Sequence, residues 1–219
     1  MRIVKIEELD KIRRKIYLEE GQFFWLYRKD ILEYDLKENS DIEEELYELI
    51  LKDKVLLYAK KKVLELLERM DRTEQELRNK LLLRNFSSDI IDEAILYAKQ
   101  YQYVDDLRYA IHFIQAKSSV KSKKQICYML YQKGIAKECI EQAYQEFIAG
   151  DLTDCSEHED ELKNLNPEIA AIQKIINRRG KPIKELTREE LQKLTASLYR
   201  KGFSNESIRT VLFCDIDFD

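Results

Sequence analysis

The run KSSVKSKK, from Lys117 to Lys124, gathers four lysines and three serines into eight residues. Ammonium groups and hydroxyl donors are the side chains that meet phosphate oxygens or the carboxylates of an acidic partner. Three of the lysines also stand in an awkward place. Ser122 has the sequence context of a helix N-cap, so Lys121, Lys123 and Lys124 put positive charge at the positive end of a helix dipole, at a cost of some tenths of a kcal/mol each. A local rule broken without a local gain points to binding, whereas a charge run as such is commonly a solvated surface. Both readings stand at this stage.

Other charged residues have simpler explanations. Arg84, Lys133, Arg178, Arg179, Arg200 and Lys201 fall in last turns of expected helices, where the dipole favours cations. Lys60, Lys61 and Lys62 are consecutive and spread around their helix. The segment YVDDLRYA, from Tyr103, carries two adjacent carboxylates. Asp105 is placed to cap the helix that follows and Asp106 to sit in its first turn, so a structural role accounts for both. Neighbouring residues at a helix start point in different directions, which weakens a reading as a catalytic pair.

No glycine-rich phosphate loop, nucleophile elbow or zinc-protease motif occurs, and His112 and His158 are the only histidines. Cys127, Cys139, Cys155 and Cys214 show no C-x-x-C spacing, so reduced structural thiols are expected, with no metal and no cofactor. A non-enzymatic protein follows from this inventory.

The elements that must carry these residues are mostly helical. The chain has 219 residues, 37% of them charged and 44% hydrophobic, enough for a folded core, and a net charge of −4. That charge is uneven: residues 1–51 carry −5, 52–104 carry +2, 105–150 carry +2 and 151–219 carry −3. A polyanion would meet the middle of the chain. No apolar run reaches the roughly 20 residues of a membrane span, and the first residues, MRIVKIEELDKIRRK, mix charge with apolar residues, so a cytoplasmic protein is expected.

Residues 1–51 contain three short runs rich in β-formers, IVKI, KIYLEE and QFFWLY, that read as a hairpin or three-stranded ribbon. Phe23, Phe24, Trp25 and Tyr27 are expected to pack one face onto a helix, since a ribbon is marginal alone.

Beyond Tyr27 the chain repeats itself. A shift of 49 positions lays Thr73 on Ser122, Leu77 on Ile126, Leu81 on Leu130, Arg84 on Lys133, Asn85 on Gly134 and Phe86 on Ile135, and a third copy runs from Thr187 to Phe203. Each copy opens on a capping-box pattern, Thr73 with Glu76, Ser122 with Gln125 and Thr187 with Glu190. Each closes on a residue suited to the left-handed conformation, Asn85, Gly134 or Gly202, followed by an apolar residue that folds back over the last turn. A preceding helix completes each copy. The expected architecture is mostly α: three tandem three-helix units at 52–103, 104–149 and 167–219, with an acidic linker at 150–166. Bundles this small must stack, which predicts an elongated, curved array presenting a long surface to a large partner.

Together these residues resemble the RecX family of bacterial recombination regulators across nearly all of 53–213. The resemblance rests on TEQEL from Thr73, YVDDLRYA from Tyr103, QKGI from Gln132 and KGFS from Lys201. Its structural motif residues here are Tyr103, Asp105, Asp106, Tyr109, Ala110, Lys133, Gly134, Lys201 and Gly202. Gln102 departs from the pattern, which has glycine before the aromatic. The resemblance implies a modulator of the RecA recombinase in recombination, DNA repair and the SOS response, inhibitory in sense. It would act as a monomer on RecA filaments, with weak or indirect contact to single-stranded DNA. Arg108, Lys117, Lys121, Lys123 and Lys124 are then the contact candidates. A sequence-specific helix-turn-helix DNA binder, or a helical scaffold for another protein, are the alternatives that the array also permits.

Overall fold

The computed structural model describes residues 1–151, 166–180 and 182–213. The expected acidic linker, together with Cys155, His158 and Cys214, lies largely or wholly outside the described residues. The chain divides into two compact units, Met1–Asp105 and Asp106–Asp219.

In the first unit, strands β1 (Ile3–Glu8), β2 (Arg13–Leu18) and β3 (Phe23–Tyr27) form an antiparallel sheet in that order. Ile16 pairs with Ile6 on one side and Phe24 on the other. Gly21, at φ +81°, supplies the left-handed residue of the β2–β3 turn. β3 is buried on both faces, which is why FFWL reads as an unbroken apolar run. Phe24 meets Tyr47 edge-on at 5.6 Å, while Trp25 stacks on Tyr58 at 5.7 Å and touches Phe86 at 5.1 Å. The aromatic residues thus serve as core, as expected.

Helix α1 (Arg28–Glu33) follows directly, then α2 (Glu44–Ile50), a π-helical turn (Leu51–Val55) and α3 (Leu56–Arg69). The sequence division at residue 51 therefore falls inside a continuous helical run. Ile50, Val55 and Leu56 share one hydrophobic core with the ribbon and with α4 (Glu74–Leu82) and α5 (Ser88–Gln100).

The second unit holds two bundles, each with its own core: α6 (Asp106–Ser118), α7 (Lys123–Gln132) and α8 (Lys137–Asp151), then α9 (Pro167–Asn177), α10 (Arg188–Arg200) and α11 (Asn205–Phe213). The repeat is visible atom by atom. Leu77 and Leu81, Ile126 and Leu130, and Leu194 and Leu198 are all buried. Asn85, Gly134 and Gly202 have φ of +63°, +83° and +80°. The next residue folds back each time: the N–H groups of Phe86, Ile135 and Phe203 donate to the carbonyls of Leu81, Leu130 and Leu198, each at 3.3 Å.

Two details differ from expectation. Both Thr73 and Thr187 form full capping boxes, but Ser122 forms only the first half, accepting from the Gln125 N–H at 3.3 Å. The Gln125 side chain does not return a bond to the Ser122 N–H. Gln102 stands at φ +57°, and the following N–H, of Tyr103, donates to Ala98 O at 2.9 Å. The backbone there takes the conformation glycine adopts freely, so a non-glycine residue holds it at a cost of about 1 kcal/mol. No helix among the described residues is long and apolar enough to cross a membrane.

Candidate interaction site at the α7–α10 joint

The Ser122 hydroxyl proton, which no capping box uses, locates the site. Ser122 is fully buried, and its hydroxyl donates to the Lys201 carbonyl at 2.6 Å. The negative C-terminal end of α10 is therefore tied to the positive N-terminal end of α7 through this hydroxyl. Gly202 makes the approach possible. A Cβ there would lie 3.2 Å from Ser122 Oγ and 3.2 Å from Lys124 Cβ. Two motifs 79 residues apart in sequence are thus one contact in space.

Glu168, in the first turn of α9, completes the joint. Its carboxylate accepts from the Lys123 N–H at 3.1 Å and from the Ser204 N–H at 3.0 Å. Asn166 caps α9 by accepting from the Glu168 N–H at 3.0 Å and donates through Nδ2 to Ser207 Oγ at 3.1 Å. α7 is the middle helix with no acidic residue in its own first turn. Glu168 supplies that charge from another bundle. The anomaly of lysines at a helix start is thereby partly relieved: a carboxylate and a helix C-terminus sit against them.

The lysines themselves remain unpaired. Lys117, Lys121, Lys123, Lys124 and Lys201 form no ion pair among the described residues. Lys117 is half-buried in the last turn of α6, and the Lys121 N–H donates to its carbonyl at 3.0 Å. Lys124 and Lys201 are exposed, the stem of Lys124 lying over Gly202. Lys123 Nζ lies 4.8 Å from the centre of the Tyr144 ring, a contact that holds its stem down. Arg108 stands apart. It lies nine residues before Lys117 on the same helix, about 13 Å along the axis.

The family-motif residues divide by role. Ala110 is core, and Tyr109 stacks with Phe113 at 6.2 Å and receives Lys133 Nζ at 5.4 Å from its ring centre. Asp105 immediately precedes α6 and Asp106 lies in its first turn. Tyr103 is exposed and stacks on Tyr101 at 6.0 Å.

Two aromatics at the joint were not singled out from sequence. Tyr128 and Tyr131 are 61% and 67% exposed on α7. With Lys124 they fall within an arc of about 60° on the side away from Ile126 and Leu130. The spacing Lys124, Tyr128, Tyr131 was a readable signal, once Ile126 and Leu130 had fixed the buried face. Cations beside exposed aromatic rings form a surface suited to phosphates and unstacked bases. Burial pushes the Cys127 thiol above its ordinary pKa, against a smaller opposing effect of Lys123, so it stays protonated near neutral pH. Burial, then the adjacent Cys127, likewise raises Tyr144.

The chain matches the family descriptions for the first, second and third three-helix domains of RecX at residues 59–97, 105–143 and 167–212. It is 30% identical to the regulatory protein RecX of Caldanaerobacter subterraneus subsp. tengcongensis over 212 residues, 96% of each chain. It is 28% identical to the regulatory protein RecX of Clostridioides difficile, covering 99% of this chain and 97% of that one. A crystal structure of regulatory protein RecX superposes with a TM-score of 0.57 at 23% identity, over 96% of this chain and 98% of that one. The crystal structure of RecX from Lactobacillus salivarius gives 0.56 at 23% identity, over 72% and 94%. These structural likenesses concern the fold.

Proposed function

This chain belongs to the RecX family of regulatory proteins, and from that premise we propose that it is a non-enzymatic, cytoplasmic regulator of recombination and DNA repair. It binds RecA filaments on single-stranded DNA and opposes them, with the α7–α10 joint as the contact surface. One observation carries the choice of surface: the Ser122–Lys201 bond and the Lys124 stem over Gly202 bring Lys124 and Lys201 to one joint, neither with an ion pair among the described residues, and the exposed Tyr128 and Tyr131 share the helix face of Lys124. Unpaired cations next to exposed aromatics suit a nucleoprotein, which offers phosphates and bases together.

The test is inhibition of single-stranded-DNA-dependent ATP hydrolysis by RecA. The variant Lys121→Gln/Lys124→Gln/Lys201→Gln keeps most of each stem and removes the charges. Three surface contacts at about 0.5 kcal/mol each predict roughly tenfold more protein for half-inhibition, with unchanged helical circular dichroism. Undiminished inhibition by the triple variant removes the joint as the contact surface.

A further inference from the structure

The three bundles expose one position in common. Leu82, Tyr131 and Tyr199 directly follow the buried leucines Leu81, Leu130 and Leu198 near the ends of the middle helices, and they are 54%, 67% and 63% exposed. In the third bundle Tyr199 is the sole large apolar side chain exposed among the described residues. A single exposed apolar residue needs no explanation, but one at the same position in three copies of a repeat does.

Packing does not supply that explanation. A step of one residue turns about 100° around a helix, so a side chain next to a buried leucine points away from the core. Phe86, Ile135 and Phe203 are buried just beyond each left-handed residue, and the three cores close without Leu82, Tyr131 or Tyr199. The local charge has one sign. Residues 77–88, 117–137 and 191–205 contain no aspartate or glutamate, in a chain that has 42 of them. Each exposed apolar residue is followed two positions later by a cation, Arg84, Lys133 or Lys201. Arg84, whose field reaches Glu65, and Lys201 form no ion pair among the described residues. The dipole at a helix end accounts for these cations, but not for the apolar residue beside each of them.

We infer that each closing turn is a docking point for the same kind of protein surface, an apolar hollow bordered by carboxylates, and that the partner repeats this surface as a polymer of identical subunits does. The first copy selects protein over nucleic acid. Leu82, with Leu83 beside it at 81% exposure, is aliphatic and offers no ring for a base to stack on, so what the three turns share is apolar bulk. The carboxylates follow from complementarity with the acid-free runs. The inference rests on the RecA reading and deepens it, because it adds a contact at Leu82, in the first compact unit, to those of the α7–α10 joint.

The test is co-sedimentation of the full chain with RecA filaments assembled on single-stranded DNA with a slowly hydrolysed ATP analogue. Leu82→Ser, Tyr131→Ser and Tyr199→Ser should each weaken binding about fivefold, and the triple variant roughly a hundredfold, because bundles with separate cores contribute independently. Leu82→Met, Tyr131→Phe and Tyr199→Phe keep the apolar bulk and should bind like the wild type. All three positions are exposed, so every variant should melt at the wild-type temperature. Binding of a naked oligonucleotide by Leu82→Ser/Tyr199→Ser should match the wild type, whatever its strength. A loss there equal to the loss on filaments assigns the turns to nucleic acid and overturns the inference. Undiminished filament binding by Leu82→Ser and Tyr199→Ser also overturns it, while leaving the RecA reading intact. Failure of the wild type itself to sediment with filaments overturns the RecA reading and this inference with it.

Discussion

The two compact units attach structure to a three-helix bundle by opposite physics. In the first, the ribbon is joined to its bundle by aromatic packing, with Trp25 between Tyr58 and Phe86 in one continuous core. In the second, two bundles keep separate cores and meet through hydrogen bonds from Ser122 to Lys201 and from Lys123 to Glu168. Apolar contact is strong and indifferent to small shifts in angle. Hydrogen bonds are individually weak and fix direction. The difference puts stability in the ribbon and orientation in the joint.

The sharpest way to break this contrast is Trp25→Ala. Loss of a buried aromatic is expected to cost about 3–5 kcal/mol. Urea denaturation followed by circular dichroism should then show the first unit unfolding well before the second. A single unshifted transition would mean that the ribbon contributes little to the core. The buried carboxylate Asp30 backs the same attachment, accepting from Tyr58 Oη at 2.8 Å and from the Tyr27 N–H at 3.0 Å. Burial, with Asp30 adding to it, drives the Tyr58 hydroxyl far above its ordinary pKa, so it serves as a donor at any physiological pH.

At the joint the effect is smaller. Glu168→Ala removes a charged acceptor from two N–H groups in exposed positions, an expected loss of about 1 kcal/mol. Hydrogen exchange is the discriminating measurement. The amides of Lys123 and Ser204, on different bundles, should lose protection together while those of Leu130 and Leu198 keep theirs. Loss confined to one bundle would show that the carboxylate caps a helix without coupling the two.

This contrast marks what the sequence could reveal. The repeat was legible because its first two copies align without a gap at a shift of 49, and the closing turns because Asn85, Gly134 and Gly202 are the residue types that accept positive φ. The lysines at 121, 123 and 124 were legible as an anomaly, but their resolution was not. Glu168 lies 45 residues from Lys123, and a hydrogen bond at that distance leaves no periodic trace. Ser122 misled for a related reason. A serine followed three residues later by glutamine matches a capping box, yet the glutamine half does not form, and nothing local announces that the hydroxyl also donates to a carbonyl 79 residues away.

The smallest expected effect tests the same comparison through pH. In the first bundle the helix-start acid is local: Glu74, first residue of α4, bonds Arg78 at 2.7 Å and pairs with Lys99 across to α5. Burial acts to raise its pKa, but these two cations outweigh burial and hold it below the ordinary value of 4.5. A carboxylate depressed on folding stabilises the native state above its unfolded pKa, and that stabilisation disappears as pH falls through the lower folded value. Glu74→Gln should therefore lower the melting temperature of the first unit slightly at pH 7, with the gap to wild type closing below about pH 4.5. A constant gap across that range would mean that Glu74 acts by packing its stem, and the first bundle would then share with the second a dependence on contacts other than its own helix-start charge.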